Sequence, residues 1–261
     1  MKHTLTISIC QFPISFLDWE QNCQKALHYI EIAKSDHAEL IIFPEMTLTG
    51  IAATVAPMAD TTEKSLNFFQ MAASKYSIAI GFGWGKPSGH KLENHYTVID
   101  ANGTVLSDYI KIHPFTYGGE DRCFVRGKEF QTFEYQGFRI CTFICYDMRF
   151  PEIFQAASKD ADLIIVAANW PEARNLHWKV LSQARSIENQ VYFAACNCVG
   201  NINQLYYSGD SVLYSPEGKK LGSLSGKDGL ITSTITNNVA TIRNGFPVKQ
   251  DRLIPYYKEI L

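Results

Sequence analysis

The sequence predicts an α/β protein with its layers arranged around two sheets. Strand-like runs alternate with helical patterns in both halves of the chain, which is the signature of strands covered by helices. Hairpins stand between those halves, the clearest of them turning at Asn102-Gly103. Two short and almost wholly apolar runs, Glu39 to Phe43 and Asp162 to Ala168, fit strands buried on both faces.

Taken in order, Leu5 to Cys10 alternates as a strand, and Asp18 with Gln21 forms a capping box for a helix to about Lys34. The strand Glu39 to Phe43 ends in Pro44-Glu45. Thr61 is placed as the cap of a helix to about Tyr76, followed by a strand from Ile78 to Trp84 and a loop from Gly85 to Glu93. The Asn102-Gly103 hairpin then delivers Lys111 at the exit of its second strand. The stretch His113 to Lys128, with three glycines, a proline and the acid pair Glu120-Asp121, reads as a functional loop or lid.

A second hairpin turns at Gln136-Gly137 into the strand Phe138 to Ile144, which stops at Cys145 and returns as a helix opened by Pro151 and running to Ser158. After the strand Asp162 to Ala168 come Asn169-Trp170-Pro171, an amphipathic helix from Asn175 to Asn189 and a strand from Val191 to Asn197. Short strands follow around Ser211 to Tyr214, Lys220 to Ser225 and Leu230 to Ile235. The tail from Asn237 carries Phe246, Leu253, Tyr256 and Tyr257, suited to a partner subunit or to burial on the same body. No repeat or linker divides residues 1–261, so one domain is expected.

Composition excludes several classes. With 46% hydrophobic and 19% charged residues and a formal charge of −2, the chain has no basic footprint for nucleic acid. No apolar run approaches the roughly 20 residues of a membrane span. The N-terminal MKHTLTISICQFPIS shows no small-residue cleavage site, and the seven cysteines form no disulfide-like framework. Reduced thiols in the cytoplasm are therefore expected. No C-x-x-C occurs, and neither a metal nor a cofactor is expected.

The stretch FRICTFICYDMRFPE is the centre of the functional reading. A cysteine between a buried strand and a helix forms a nucleophile elbow, aimed at helix-terminal N–H groups in a setting expected to favour the thiolate. Attack on a carbonyl or nitrile carbon also needs a base and donors for the oxyanion. His177 on its helix is one candidate base, or simply a packed side chain. The other route is a carboxylate base with a lysine. Glu45, Lys111 and Cys145 all sit at strand exits, where groups in α/β folds converge on one crevice. Taken singly, Glu45 reads first as a helix cap and Lys111 as a solvated edge residue; it is their coincidence with Cys145 at strand exits that favours chemistry.

The set IIFPEMTLTG, YIKIHPF and ICYDMRFPE resembles the Glu–Lys–Cys signature of the nitrilase superfamily of carbon–nitrogen hydrolases, over nearly the whole chain. The segments FTYGGED and ANWPEARNLHWKVLSQARSIENQVYFAACNCVG are similar to its omega-amidase branch, which acts on 2-oxo acid amides. The resemblance implies a four-layer α-β-β-α sandwich, dimerised to continue the layers. It implies Cys145 as nucleophile, Glu45 as general base, and Lys111 with the Tyr146 backbone N–H on the oxyanion. Glu120 corresponds to a second, loop-borne glutamate that positions the substrate or the lysine.

Asn169 and Trp170 are expected in the pocket wall. Arg174 is the candidate for a substrate carboxylate, since guanidinium offers a bidentate match. Asp147 and Arg149 are read as an ion pair bracing the elbow. Cys198 departs from the pattern, because relatives often carry arginine there; the change removes a salt bridge or alters the pocket. The expected reaction is hydrolysis of a short dicarboxylate monoamide. An N-carbamoyl-amine hydrolase, a nitrilase, a Cys–His enzyme using His177 and a catalytically silent binding subunit are the alternatives.

Overall fold

The computed structural model describes residues 3–260; the ends of the expected domain, residues 1–2 and 261, lie outside them. The first half of the chain runs β1 (Thr4–Gln11), α1 (Trp19–Ser35), β2 (Leu40–Ile42), α2 (Lys64–Tyr76), β3 (Ala79–Ser88), β4 (Lys91–Ile99) and β5 (Val105–Ile110). With the late strand β14 (Gly229–Thr236) these form a six-stranded sheet in the order β14-β1-β2-β3-β4-β5. A four-residue helix, α3 (Glu120–Cys123), interrupts the loop that follows.

The second half opens with β6 (Thr132–Tyr135), β7 (Phe138–Ile144), α4 (Pro151–Ala157), β8 (Leu163–Ala168), α5 (Asn175–Asn189) and β9 (Tyr192–Asn197). The hairpin of β10 (Val199–Ile202) and β11 (Leu205–Ser208) precedes β12 (Ser211–Tyr214) and β13 (Lys220–Leu224). The second six-stranded sheet has the order β13-β12-β9-β8-β7-β6.

Alternation along the strands builds the layers. Ile7, Ile9, Leu40 and Ile42 join the core that contains the second sheet. Their neighbours Cys10, Ile41 and Phe43 join Ile30 of α1 and Phe69 of α2 instead. Period-two side chains on one strand therefore serve two interfaces, sheet against sheet and sheet against helix. Trp178 of α5 and Phe154 of α4 are fully buried with the second sheet. The result is the α-β-β-α sandwich that the motifs implied.

Local expectations mostly hold, with physical reasons where they fail. Asp18 accepts the Gln21 N–H at 3.0 Å, but the Gln21 side chain takes the Ser15 hydroxyl, so only half of a capping box forms. Asp60, not Thr61, caps α2, accepting the Lys64 and Ser65 N–H groups at 2.9 and 2.7 Å. The expected loop over Gly85 to Glu93 is a continued hairpin, with Gly85 opposite Asn94 and Ser88 opposite Lys91. Pro87 is tolerated because β2 pairs only as far along β3 as Gly81, leaving the far half of β3 an edge.

The β10–β11 hairpin escaped the sequence reading because its turn is Asn203-Gln204, both at positive φ (46° and 66°), without the glycine that usually marks such turns. The tail forms α6 (Val239–Gly245) and α7 (Ile254–Ile260), and leaves Phe246, Leu253 and Tyr256 exposed. Among the described residues no helix is long and apolar enough to cross a membrane. Replacing Asp60 by Ala removes two capping bonds and should lower the unfolding free energy by about 1 kcal/mol. Denaturant titration checks this, and an unchanged midpoint would refute the cap assignment.

Candidate active site

Four strand ends meet between the sheets. β5 lies two antiparallel steps from β3, so it leaves the sheet at the same end as β2. The first sheet thereby offers Glu45 and Lys111, and the parallel strands β7 and β8 offer Cys145 and Asn169. The turn carrying Glu45 passes so close to β3 that a Cβ at Gly83 would lie 2.4 Å from the Met46 nitrogen. Only glycine permits that approach. Thr47 locks the same turn, donating its hydroxyl to the Pro44 carbonyl at 2.7 Å and accepting the Gly83 N–H at 3.0 Å.

Glu45 and Lys111 are fully buried. The Lys111 ammonium donates to Glu45 Oε1 and Glu120 Oε2, each at 2.8 Å. Glu45 Oε1 also accepts from Asn94 Nδ2 at 2.8 Å, and Oε2 accepts the Asn169 N–H at 2.9 Å. Glu120 Oε2 further accepts the Phe115 N–H at 2.9 Å. Cys145 is 8% exposed, with Sγ 3.8 Å from the Asn169 carbonyl. Its φ of 47° is the strained left-handed turn of an elbow.

Asp147 holds that turn. Its carboxylate accepts the Ile144 N–H at 3.0 Å, the Tyr109 hydroxyl at 2.8 Å, and the His113 N–H and Nδ1 at 3.0 and 2.8 Å. It makes no ion pair with Arg149, so that expectation is corrected. The short turn between the two points Asp147 back into the strand, while Arg149 faces the cavity.

The charges decide the protonation states. Burial alone would drive the Lys111 amine down, but Glu120 and Glu45 outweigh it and hold the group well above the usual lysine range. Burial pushes the Glu120 carboxyl up, and Glu45 adds to this while Lys111 opposes it. Burial likewise raises the Cys145 thiol well above the ordinary cysteine value, with Glu45 reinforcing the rise against Lys111. The expected resting thiolate is therefore overturned. The element starting at Cys145 is a 3-10 turn of five residues, a weak dipole against burial and two nearby carboxylates.

A cavity of about 230 Å³ opens onto Cys145 and Glu120, and Tyr146, Asn169, Trp170 and Arg174 all line it. The Asn169 side chain is turned inward, donating to the Glu45 carbonyl at 2.6 Å. Asn197 fixes Trp170, accepting its N–H at 2.8 Å and donating to its carbonyl at 3.0 Å. The Arg149 guanidinium lies 4.8 Å from the Trp170 ring centre and that of Arg174 lies 5.1 Å from the Phe115 ring centre. Neither forms a salt bridge with a carboxylate of the described residues, although both line the cavity.

His177 is exposed, sits 3.2 Å from Arg149 Nη2 and does not line the cavity. Cys198 is fully buried in the helix-side core rather than on the cavity wall. Sequence reasoning missed Asn94, Phe115, Leu205 and Tyr207. Asn94 fell in a stretch read as following a loop, and Leu205 and Tyr207 belong to the unrecognised hairpin; β4 starts at Lys91, which sets Asn94 on the sheet.

Replacing Lys111 by Met should cost about 3–5 kcal/mol of stability at neutral pH, since two buried carboxylates lose their cation. A carboxyl raised in the folded state costs stability above its unfolded value and ceases to do so below it. Glu120, already raised, loses the opposing lysine, so the deficit should shrink as pH falls. Denaturant titrations at about pH 5 and about pH 7.5 test this; equal deficits would count against the ion cluster.

Residues 6–244 match the carbon–nitrogen hydrolase family. The chain is 33% identical over 251 residues to 2-oxoglutaramate amidase of Bacillus subtilis (strain 168), covering 94% of this chain and 96% of that protein. It is 34% identical over 218 residues to omega-amidase YafV of Yersinia enterocolitica, covering 83% of each. Its fold is similar to a CN-hydrolase superfamily protein of Xanthomonas campestris solved with an arsenic adduct in the active site. The TM-score is 0.90 at 29% identity, over 96% of this chain and 97% of that one. A Nesterenkonia amidase shares the fold, with a TM-score of 0.88 at 23% identity over 98% of this chain and all of the other. With a matched family region spanning nearly all of its strands and helices, the chain belongs to the carbon–nitrogen hydrolase family.

Proposed function

We propose that this chain is an omega-amidase, hydrolysing the terminal amide of a short 2-oxo dicarboxylate monoamide such as 2-oxoglutaramate or succinamate. The observation that carries the reading is one cavity with Cys145 and Glu120 on its wall, the Glu45–Lys111–Glu120 cluster behind them, and two guanidiniums without carboxylate partners among the described residues. Its likeness to proteins named 2-oxoglutaramate amidase and omega-amidase supports the same substrate class.

In this scheme Sγ of Cys145 attacks the amide carbon while its proton passes to Glu45. The carbonyl electron pair moves to oxygen, which is held by the Tyr146 backbone N–H and by Lys111, two of whose three protons are already engaged. Collapse breaks the carbon–nitrogen bond, Glu45 returns the proton to nitrogen, and ammonia leaves a thioester. Glu45 then takes a proton from water, hydroxide adds to the thioester, and the thiol is restored as the acid departs. Glu120 keeps Lys111 charged and oriented throughout. Arg174, with Arg149 beside it, holds the substrate's distant carboxylate. The reading carries with it a single catalytic domain working in the cytoplasm as a homodimer, without metal or cofactor.

The pure protein should release ammonia from 2-oxoglutaramate and succinamate, whereas Cys145→Ala should not; equal rates would remove the assignment. Carbon dioxide appearing with the ammonia would point instead to a carbamoyl substrate. Arg174→Met should raise KM for succinamate roughly 10- to 100-fold, the value of one charged hydrogen bond. Turnover of neutral propionamide should stay unchanged in that variant, and a parallel loss on both amides would contradict the carboxylate contact.

A further inference from the structure

Glu45 is gripped from a side the sequence did not disclose. Asn94 of β4 is fully buried, and its Nδ2 donates to Glu45 Oε1, the oxygen that Lys111 also holds, each at 2.8 Å. The Asn94 backbone carbonyl accepts the Lys111 N–H at 2.9 Å. One strand residue thus fixes the carboxylate's side chain and the lysine's main chain together. The amide cannot be turned over, because its oxygen would then face Oε1, acceptor against acceptor.

Asn94 Oδ1 has no hydrogen-bond partner among the described residues, so the side chain's one hydrogen bond there is the donation to Glu45. The two Glu45 oxygens also differ. Among the described residues Oε1 takes two donors and is full, while Oε2 takes only the Asn169 N–H at 2.9 Å and keeps a lone pair free. Asn169 touches Oε2 with its N–H and approaches the Cys145 sulfur to 3.8 Å with its carbonyl.

We propose that Asn94 is a positioning residue which, together with Lys111, saturates Glu45 Oε1 and routes every proton exchanged with sulfur, nitrogen and water through Oε2. The inference rests on the amidase reading for its chemistry. The thiol proton goes to Oε2 as the sulfur–carbon bond forms, and Oε1 remains the anchored oxygen. The titratable groups of the described residues on which the Glu45 charge acts are Lys111, Glu120, Cys145, Cys198 and Tyr207. Asn94 adds no charge to them, so removing it acts through hydrogen bonding.

The test compares Asn94→Ala with the parent protein. With one donor gone from Oε1, the acid limb of kcat/KM should move up by roughly one pH unit. The acid limb of Cys145 alkylation by iodoacetamide should move with it. On succinamate, kcat should fall about 10- to 100-fold and KM should stay within about threefold. An unmoved acid limb, or a raised KM with kcat preserved, overturns the proposal. If Asn94→Ala does not fold by circular dichroism, the near-isosteric Asn94→Asp, which offers an acceptor where a donor stood, takes its place. Alkylation of folded Asn94→Asp at the parent rate near neutral pH would also overturn it. Alkylation needs no substrate, so this result stands apart from whether any amide is turned over.

Discussion

One buried ammonium, that of Lys111 set between Glu45 and Glu120 at 2.8 Å from each, is the constraint on which the site depends. Taking such ions out of water costs on the order of several kcal/mol apiece, and Coulomb attraction offsets this only where the remaining lone pairs find donors. Asn94, the Asn169 N–H and the Phe115 N–H add donors to the two carboxylates, and among the described residues one lone pair of Glu45 Oε2 is left free. The loop bearing Glu120 and the first sheet are tied to one point by this cluster. The second sheet is tied to the same point through the backbone of Asn169.

The same cluster decides where the proton of Cys145 rests. A thiolate would add a further negative charge beside Glu45 and Glu120 in a dry place, and one ammonium does not compensate for all three. The thiol therefore stays protonated, and its activation has to be coupled to attack, with the proton passing to a carboxylate already in place. The elbow contributes geometry more than charge. Asp147 anchors it by four hydrogen bonds, to Ile144, Tyr109 and twice to His113, so the strained backbone at Cys145 is held from behind.

Around this centre the cavity is asymmetric. Its floor is the ion cluster, with charges satisfied internally. Its wall carries Arg149 and Arg174 on the faces of Trp170 and Phe115, cations that stack rather than pair. Their mutual repulsion and partial burial depress the Arg149 guanidinium, burial being the larger cause. A site with that balance is complementary to an anion, and the proposed substrate supplies one at the end remote from its amide.

Much of this was legible in the residue order. Period-two alternation marked β1, apolar runs marked β2 and β8, Asn102-Gly103 and Gln136-Gly137 marked the hairpins, and Glu45, Lys111 and Cys145 stood at strand exits as motifs. The errors came where local chemistry was atypical or the partner lay far away. The Asn203-Gln204 turn lacks glycine, Pro87 sits in a strand because its edge is free, and Asp60 outcompetes Thr61 for a helix end. By itself the sequence determined the elements and the residue types that carry chemistry, because both are governed by neighbours a few positions away. Only the tertiary structure decided that Asp147 turns from Arg149 to His113 and Tyr109, that Asn94 grips Glu45, and that the Cys145 thiol keeps its proton. Those outcomes depend on burial and on charges brought together across two sheets, and such distances are not written in any local pattern.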